Sequence, residues 1–330
     1  MTTIYDVARA AEVSPATVSR VLNGKQTVDD ELAERVRDAA RQLDYRPNAV
    51  ARNLRRSRTS LWAVIISDIN NPFFTALVRG VEDVAQSAQY SVVLCNADEN
   101  PDKEASYISA VLSEQMAGVI ISPTHLSTHI GRLLGAHAPV VAIDREVDGA
   151  AIDTVLVDNE HGARLATAHL IEQGYQRVAC ITGPHEVTTA SERLRGYQAA
   201  LRDAGRTVDP GLVRYANFRE AGGHAAMTDL LDSGARPDAV FAGNNLMTVG
   251  ALECLAERGL AVPSEVAVVG FDDVPWAGFL RPPLSTVSQP TYELGRTAAN
   301  LLLQRIADPG RPASRITLHT ELHVRGSSRR

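Results

Sequence analysis

Charged and amide side chains gather where short apolar runs end. "WAVIIS" passes into "DINNPFF" (68–74), "PVVAI" into Asp144-Arg145, and "ACITGP" into a turn leading to "TTASERLRGY" (188–197). "AVFAG" runs into Asn244-Asn245, "VAVVG" into "FDD" (271–273), and "STVSQP" ends on Gln289-Pro290. Carboxylates placed there accept from paired hydroxyls and arginines donate to them. Phe rings pack on the apolar C–H faces of a sugar, so the set suits a neutral, polyhydroxylated ligand. Catalysis is poorly served. There is no Gly-rich dinucleotide fingerprint, phosphate loop or G-x-S-x-G elbow. Asp272 and Asp273 are adjacent, whereas paired catalytic carboxylates converge from separate segments. "HLSTH" spaces His125 and His129 four apart but lacks the Glu of a zinc protease. No catalytic residue, metal site or cofactor is expected.

A second chemical signal lies in "SPATVSRVLNG" (14–24). Ser14 suits an N-cap and Pro15 the first helical position, where its missing N–H leaves nothing unpaired. Val18, Val21 and Leu22 then share one face. Ala16, Arg20 and Asn23 lie opposite, flanked by Thr17 and Ser19, and Gly24 can stop the helix. Small residues, hydroxyls and one arginine form a face that can approach a DNA major groove, where Arg can contact guanine O6 and N7 together.

These groups need scaffolds. Ile4, Val7, Ala8 and Ala11 recur at helical spacing after Thr3, with Asp6 as its capping partner. A third helical pattern over 30–44 is expected to bury Leu32, Val36, Ala39 and Leu43. Three short helices over about 46 residues give a helix-turn-helix head. From residue 60, apolar runs at 62–67, 91–95, 118–122, 139–143, 177–181, 239–242 and 266–270 alternate with helical patterns. That alternation predicts an α/β body of parallel sheets in two lobes, with a ligand cleft at the strand C-termini. The expected division is a head at 1–46 and a hinge helix and linker at 47–59. The first lobe takes 60–158 with about 289–318, the second 159–288 with about 319–330.

The net charge of −6 averages two unlike regions. Residues 1–60 hold eleven basic against eight acidic side chains, with Arg52, Arg55, Arg56 and Arg58 crowded at the end; the remainder holds 22 against 31. A basic head on an acidic body points to nucleic acid. No apolar run reaches membrane-spanning length, so no membrane partner is expected. Cys95, Cys180 and Cys254 are scattered and form no C-x-x-C, and the opening residues lack a secretory signature, so the cytoplasm is the expected compartment.

"IYDVARAAEVSPATVSRVLNG" closely resembles the N-terminal domain of lactose-repressor (LacI) family transcription regulators. "LDYRPNAVARNLRRSRT" resembles that family's hinge, and the resemblance runs to the closing "LHVRGSS". It implies a repressor that binds a palindromic operator as a homodimer under the control of a small effector. The second helix would enter the major groove with Ala16, Thr17, Ser19, Arg20 and Asn23. Lys25 and Arg52 would hold phosphates, and Leu54 would wedge into the minor groove at the operator centre. Pro15 and Ala16 stand where several relatives place larger polar base-readers. The closing "RGSSRR" has no leucine-heptad tail, so a dimer is expected rather than a tetramer.

The body resembles periplasmic sugar-binding proteins, most closely a ribose-binding pattern. On that resemblance Asn71, Phe73 and Phe74 form the first-lobe amide and stacking pair. Asp144 and Arg145 form an Asp-Arg pair, Arg193 is the second-lobe arginine, and Phe218 is the opposing aromatic. Asn244, Asp272 and Gln289 complete the set, which implies D-ribose or a close pentose as effector. A purine or nucleoside stacking on Phe73 and Phe218 is the alternative. Asn245 departs from the pattern, standing where relatives often carry Asp and removing a negative charge beside the cleft.

Overall fold

The computed structural model describes residues 2–22, 28–45, 59–124, 129–147 and 149–330, which divide into two compact units, Met1–Thr59 and Ser60–Arg330. Asn23, Lys25, Arg52 and Leu54, with most of the expected hinge and His125, lie outside the described residues.

The first unit holds α1 (Ile4–Ala10), α2 (Pro15–Leu22) and α3 (Asp30–Gln42). The Asp6 carboxylate accepts the Thr3 backbone N–H at 2.9 Å and its hydroxyl at 2.7 Å, which fixes the start of α1. Asp29 caps α3 by accepting from the backbone of Glu31 and Leu32. Val7, Ala8, Ala11, Val18, Val21 and Val36 form the core with Ala33, Ala39 and Ala40. The sequence expectation for α3 is partly wrong. Leu32 is only half-buried and Leu43, just past the helix end, is 36% exposed, while Ala33 and Ala40 face inward. In a core this small the inward positions sit against neighbouring helices, so alanine fits there and leucine is displaced to the margin.

The second unit contains two six-stranded sheets. The first is built from β1 (Leu61–Ile66), β2 (Ser91–Asn96), β3 (Gly118–Ile121), β4 (Val140–Ile143) and β5 (Asp153–Val157), completed by β11 (Arg315–Leu318). Its order is β11-β5-β4-β3-β1-β2, and every pairing is parallel. The second comprises β6 (Val178–Thr182), β7 (Val213–Tyr215), β8 (Ala239–Ala242), β9 (Ala267–Phe271), β10 (Ser285–Ser288) and β12 (Glu321–His323). Its order is β12-β10-β9-β8-β6-β7, parallel except at β12. The sequence expectation of parallel α/β sheets holds, but β5, β7, β10, β11 and β12 were not anticipated. They are three to five residues long, and β7, β11 and β12 are half-exposed edges without a continuous apolar run.

Helices cover both faces: α4 (Pro72–Ser87), α5 (Pro101–Ser113) and α6 (Ile130–Gly135) on the first sheet; α7 (Asn159–Glu172), α8 (Thr188–Asp203), α9 (Glu220–Asp232) and α10 (Asn245–Glu257) on the second. The last, α11 (Thr291–Ala307), returns to pack on the first sheet beside α4. There Gly295 presses its backbone onto α4, where a Cβ would lie 2.0 Å from the Leu77 carbonyl oxygen. The chain therefore passes between the sheets three times, at Asp158, at Gln289-Pro290 and at His319-Thr320. Asp158 ties the first passage to the third by accepting the Thr320 N–H and hydroxyl, each at 2.8 Å, with His319 Nδ1 also at 2.8 Å. Among the described residues no helix is long and apolar enough to cross a membrane.

Candidate functional site

In the first unit, Pro15 opens α2 and the Thr17 N–H donates to Ser14 Oγ at 3.1 Å. Val18 and Val21 are buried, while Ala16 and Arg20 are exposed and Thr17 and Ser19 half-buried. Among the described residues no partner holds Arg20. Thr17 differs: its hydroxyl lies 2.9 Å from Ser14 Oγ, so it belongs to the cap as well as to the outward face.

In the second unit, one cavity is lined by all ten residues expected to meet an effector, Asn71, Phe73, Phe74, Asp144, Arg145, Arg193, Phe218, Asn244, Asp272 and Gln289. The cavity has a volume of about 40 Å³, well below the range of open small-molecule sites. The cavity is narrow because its side chains hold one another.

The helix starts do much of the positioning. Asn71 caps α4, its Oδ1 accepting the Phe73 N–H at 2.9 Å, which turns Phe73 and Phe74 inward as an edge-to-face pair 5.0 Å apart. Asn244 caps α10 through the Met247 N–H at 2.8 Å, and its Nδ2 donates to the Phe218 carbonyl at 2.9 Å. Both amides are thus framework as well as lining. Arg193 lies 3.8 Å over the Phe271 ring, donating to Asn159 Oδ1 at 2.9 Å and the Gly243 carbonyl at 2.6 Å. Phe218 leans on the backbone of Gly183, where a Cβ would come 2.1 Å from the ring.

Electrostatics follow from burial. Loss of water pushes the Asp144 carboxyl above the usual range, and the charges of Arg145 and Arg193 only partly oppose it. Asp272 is likewise raised by burial, against Arg193, the Gln289 amide and the Asn245 N–H. Burial lowers Arg193 despite those two carboxylates. For Arg145 burial also opposes the charge, yet Glu99, Asp144 and Glu104 outweigh it and the net shift is upward. The next residue runs the other way. Burial would raise Asp273, but hydrogen bonds from Arg325, Thr286 and His323 bring it down to about 2.

Among the described residues, three polar atoms in and around the cavity are buried without a hydrogen-bond partner: Arg145 Nε, Gln289 Oε1 and Asn245 Oδ1. They offer one donor and two acceptors. The cleft is also bridged by its own side chains. Asn245 Nδ2 donates to Asn71 Oδ1 at 2.9 Å, and Arg219 donates to Asp98 at 2.7 Å with Asp68 3.6 Å away. Asp68, Glu99, Thr189, Asn217 and Arg219 line the cavity without having been singled out in sequence. The signal for Glu99 lies in the sequence: it belongs to "NADEN", which follows the apolar run "SVVLC" at a strand C-terminus, the same kind of position that holds other cleft residues.

A small helical head with a groove-facing helix, joined in one chain to a two-lobed body with a polar cleft at its strand ends, defines a ligand-responsive DNA-binding regulator. Comparison with known proteins makes that specific. The signature of bacterial regulatory proteins of the lacI family spans residues 3–48, and that of a periplasmic binding protein-like domain spans residues 167–328. The chain is 36% identical over 330 residues to the ribose operon repressor of Escherichia coli (strain K12), covering 99% of this chain and 100% of that one. It is 33% identical over 331 residues to the HTH-type transcriptional repressor PurR of Aliivibrio fischeri (strain ATCC 700601 / ES114), covering 99% and 98%. It superposes on the lac repressor dimer bound to operator and the anti-inducer ONPF with a TM-score of 0.88 and 27% identity, covering 100% and 99%. The chain belongs to the lacI family. It is a DNA-binding transcriptional repressor with an effector domain, and not an enzyme.

Proposed function

We propose that this repressor responds to D-ribose or a close pentose. The observation that carries the reading is the convergence of the ten cleft residues, carboxylates and arginines between facing aromatics, on one cavity that also holds unpaired buried donors and acceptors. Hydroxyl groups alternate donor and acceptor as that surface does, and Phe73 and Phe218 offer apolar faces to the ring. The likeness to a ribose operon repressor supports the same ligand. A purine effector is the second reading, favoured by the likeness to a PurR repressor at similar identity and by the same aromatics, on which a base would stack.

On this reading the protein acts in the cytoplasm as a homodimer on a palindromic operator. Ala16, Thr17, Ser19, Arg20 and Asn23 face the bases, Lys25 and Arg52 the phosphates, and Leu54 of each protomer the central minor-groove step. Effector and operator must influence each other reciprocally: if ribose weakens operator affinity, the operator weakens ribose affinity by the same factor. Calorimetric titration of the full chain with D-ribose, D-xylose, D-glucose, hypoxanthine and guanine tests the assignment. Saturable binding of ribose with a matching change in operator affinity is expected. Binding of hypoxanthine or guanine without any response to pentoses overturns it in favour of the purine reading.

A further inference from the structure

Glu99 sits in the loop between β2 and α5, and its backbone is unusual. Asp98 (φ 57°) and Glu99 (φ 53°) are consecutive non-glycine residues in the left-handed region, which side chains with a Cβ disfavour. The loop is pinned there by the first sheet: Ala97 N–H donates to the Ile66 carbonyl at 2.8 Å and Glu99 N–H to the Ser67 carbonyl at 2.9 Å. The outcome of this geometry is a two-point grip on the cleft arginine. Glu99 Oε2 accepts from Arg145 Nη1 at 2.9 Å and Oε1 from Nη2 at 2.5 Å, and Nη1 also reaches the Pro123 carbonyl at 3.2 Å. The Arg145 side chain is 7% exposed, and its Nε, 3.6 Å from Asp144, has no hydrogen-bond partner among the described residues.

A guanidinium fork fits a carboxylate and a phosphate equally well, and it is the strongest anion-binding group a cleft can offer. Here that fork is already filled by the protein. The cavity lining carries Asp68, Glu99, Asp144 and Asp272 against Arg145, Arg193 and Arg219, so an incoming anion meets more carboxylates than guanidinium groups. Asp272 Oδ1 already accepts from the Gln289 amide and Asp144 Oδ2 from the Ser122 hydroxyl, and the atoms left over, Arg145 Nε and the second oxygen of each carboxylate, suit hydroxyls. We propose that Glu99 is a specificity-determining residue that closes the Arg145 fork to anions, reserving the cleft for uncharged polyols and excluding their phosphorylated or carboxylated forms. The ligand class rests on the sugar reading above; the exclusion of anions rests on the fork itself.

The experiment compares wild type, Glu99→Gln and the double variant Glu99→Gln/Arg145→Ala by calorimetry, in chloride buffer of constant ionic strength. The probes are inorganic phosphate, D-ribose 5-phosphate and D-ribose. Wild type is expected to ignore both phosphates. Glu99→Gln, which keeps the side-chain shape and one acceptor, gains saturable phosphate binding stronger by on the order of tenfold or more, and the double variant loses that gain. Saturable phosphate binding by wild type overturns the proposal without reference to any variant's folding. So does a Glu99→Gln protein that binds D-ribose as wild type does yet still excludes both phosphates. Failure of wild type to bind D-ribose removes the sugar reading alone, because the inorganic phosphate arm contains no sugar and still decides the role of Glu99.

Discussion

Asp272 and Asp273 are neighbours whose carboxyls are driven in opposite directions, and replacing the second measures how much of the fold rests on its charge. Asp273 accepts from Arg325 Nη1 and Nη2, both at 2.9 Å, from the Thr286 hydroxyl at 2.7 Å, and lies 3.0 Å from His323 Nδ1. These contacts join β10, β12 and the segment after β9 at the edge of the second sheet. They outweigh burial and hold the carboxyl at about 2, against an ordinary 3.8. At about 1.4 kcal/mol per unit, the ionised form contributes about 2 kcal/mol at pH 7, and the 21% exposure of the side chain trims that figure rather than raising it. Because the folded value is depressed, the contribution is complete above pH 4 and is lost as pH falls toward 2. Asp273→Asn keeps the shape and one acceptor but removes the charge. Urea unfolding of wild type and variant at pH 7, 4 and 3 should give a gap of about 2 kcal/mol at pH 7, falling to roughly half at pH 3. A gap that stays constant over that range refutes the electrostatic account and assigns the loss to packing.

Asp272→Asn should do the reverse. Burial has raised this carboxyl, so its ionised form is penalised at neutral pH, and the neutral isostere should raise the thermal midpoint at pH 7 while abolishing the effector response; a lower midpoint would contradict the sign. Asn245→Asp sets an oxygen against Asn71 Oδ1, which the Phe73 N–H holds in place, and should cost about 1–3 kcal/mol at pH 7 by losing the bond across the cleft. Unchanged urea unfolding would show that this bond contributes nothing. Gly183→Ala drives a Cβ into the Phe218 ring; calorimetry should show weakened effector binding while circular dichroism stays native, at a stability cost on the order of 1–3 kcal/mol. Ser14→Ala removes the cap of α2 and should lower the stability of the head by about 1 kcal/mol, read as an earlier first transition in a thermal melt.

The sequence made the cleft legible because one rule governs parallel α/β sheets: ligands meet the C-terminal ends of strands, so polar residues following apolar runs are the ones to inspect. All ten residues chosen that way, with the family resemblance, line a single cavity. Glu99, after "SVVLC", obeys the same rule, whereas Asn217 and Arg219 follow β7, whose "VRY" has no apolar run to mark it. Other features had no sequence signal. Short edge strands such as "RITL" and "ELH" are stabilised by neighbours far along the chain, so their local pattern is weak. In α3, the spacing permitted either Leu32 or Ala33 to face inward, and the closeness of the neighbouring helices decided it. Backbone conformation was equally hidden. Among the described residues eleven non-glycine positions have positive φ, and Asp98, Glu99, Asp144, Phe218 and Asp272 are all at the cleft. Asp tolerates the left-handed region better than most residues, but Asp is common throughout the chain, and for Glu99 and Phe218 identity gives no sign of it.

That strain bears on how such a cleft can switch. A conformational change follows ligand binding only when the ligand interacts more favourably with one state than with the other. Here the narrow state, a cavity of about 40 Å³, is already held by protein contacts, Asn245 to Asn71 and Arg219 to Asp98. An effector larger than that must displace some of these bonds and replace them with its own. The net free energy of entry is then a difference between two similar hydrogen-bonded sets, small enough for modest chemical differences between ligands to decide its sign. The left-handed loops keep the protein's set in place at a conformational cost, so the narrow state is stable without being deep. Asn245 sharpens the same balance. As an amide it donates across the cleft to Asn71, and a carboxylate at this position would face that oxygen with another. The departure from the sugar-binding pattern at Asn245 therefore bears first on how readily the cleft closes, and only through that on which ligand it admits.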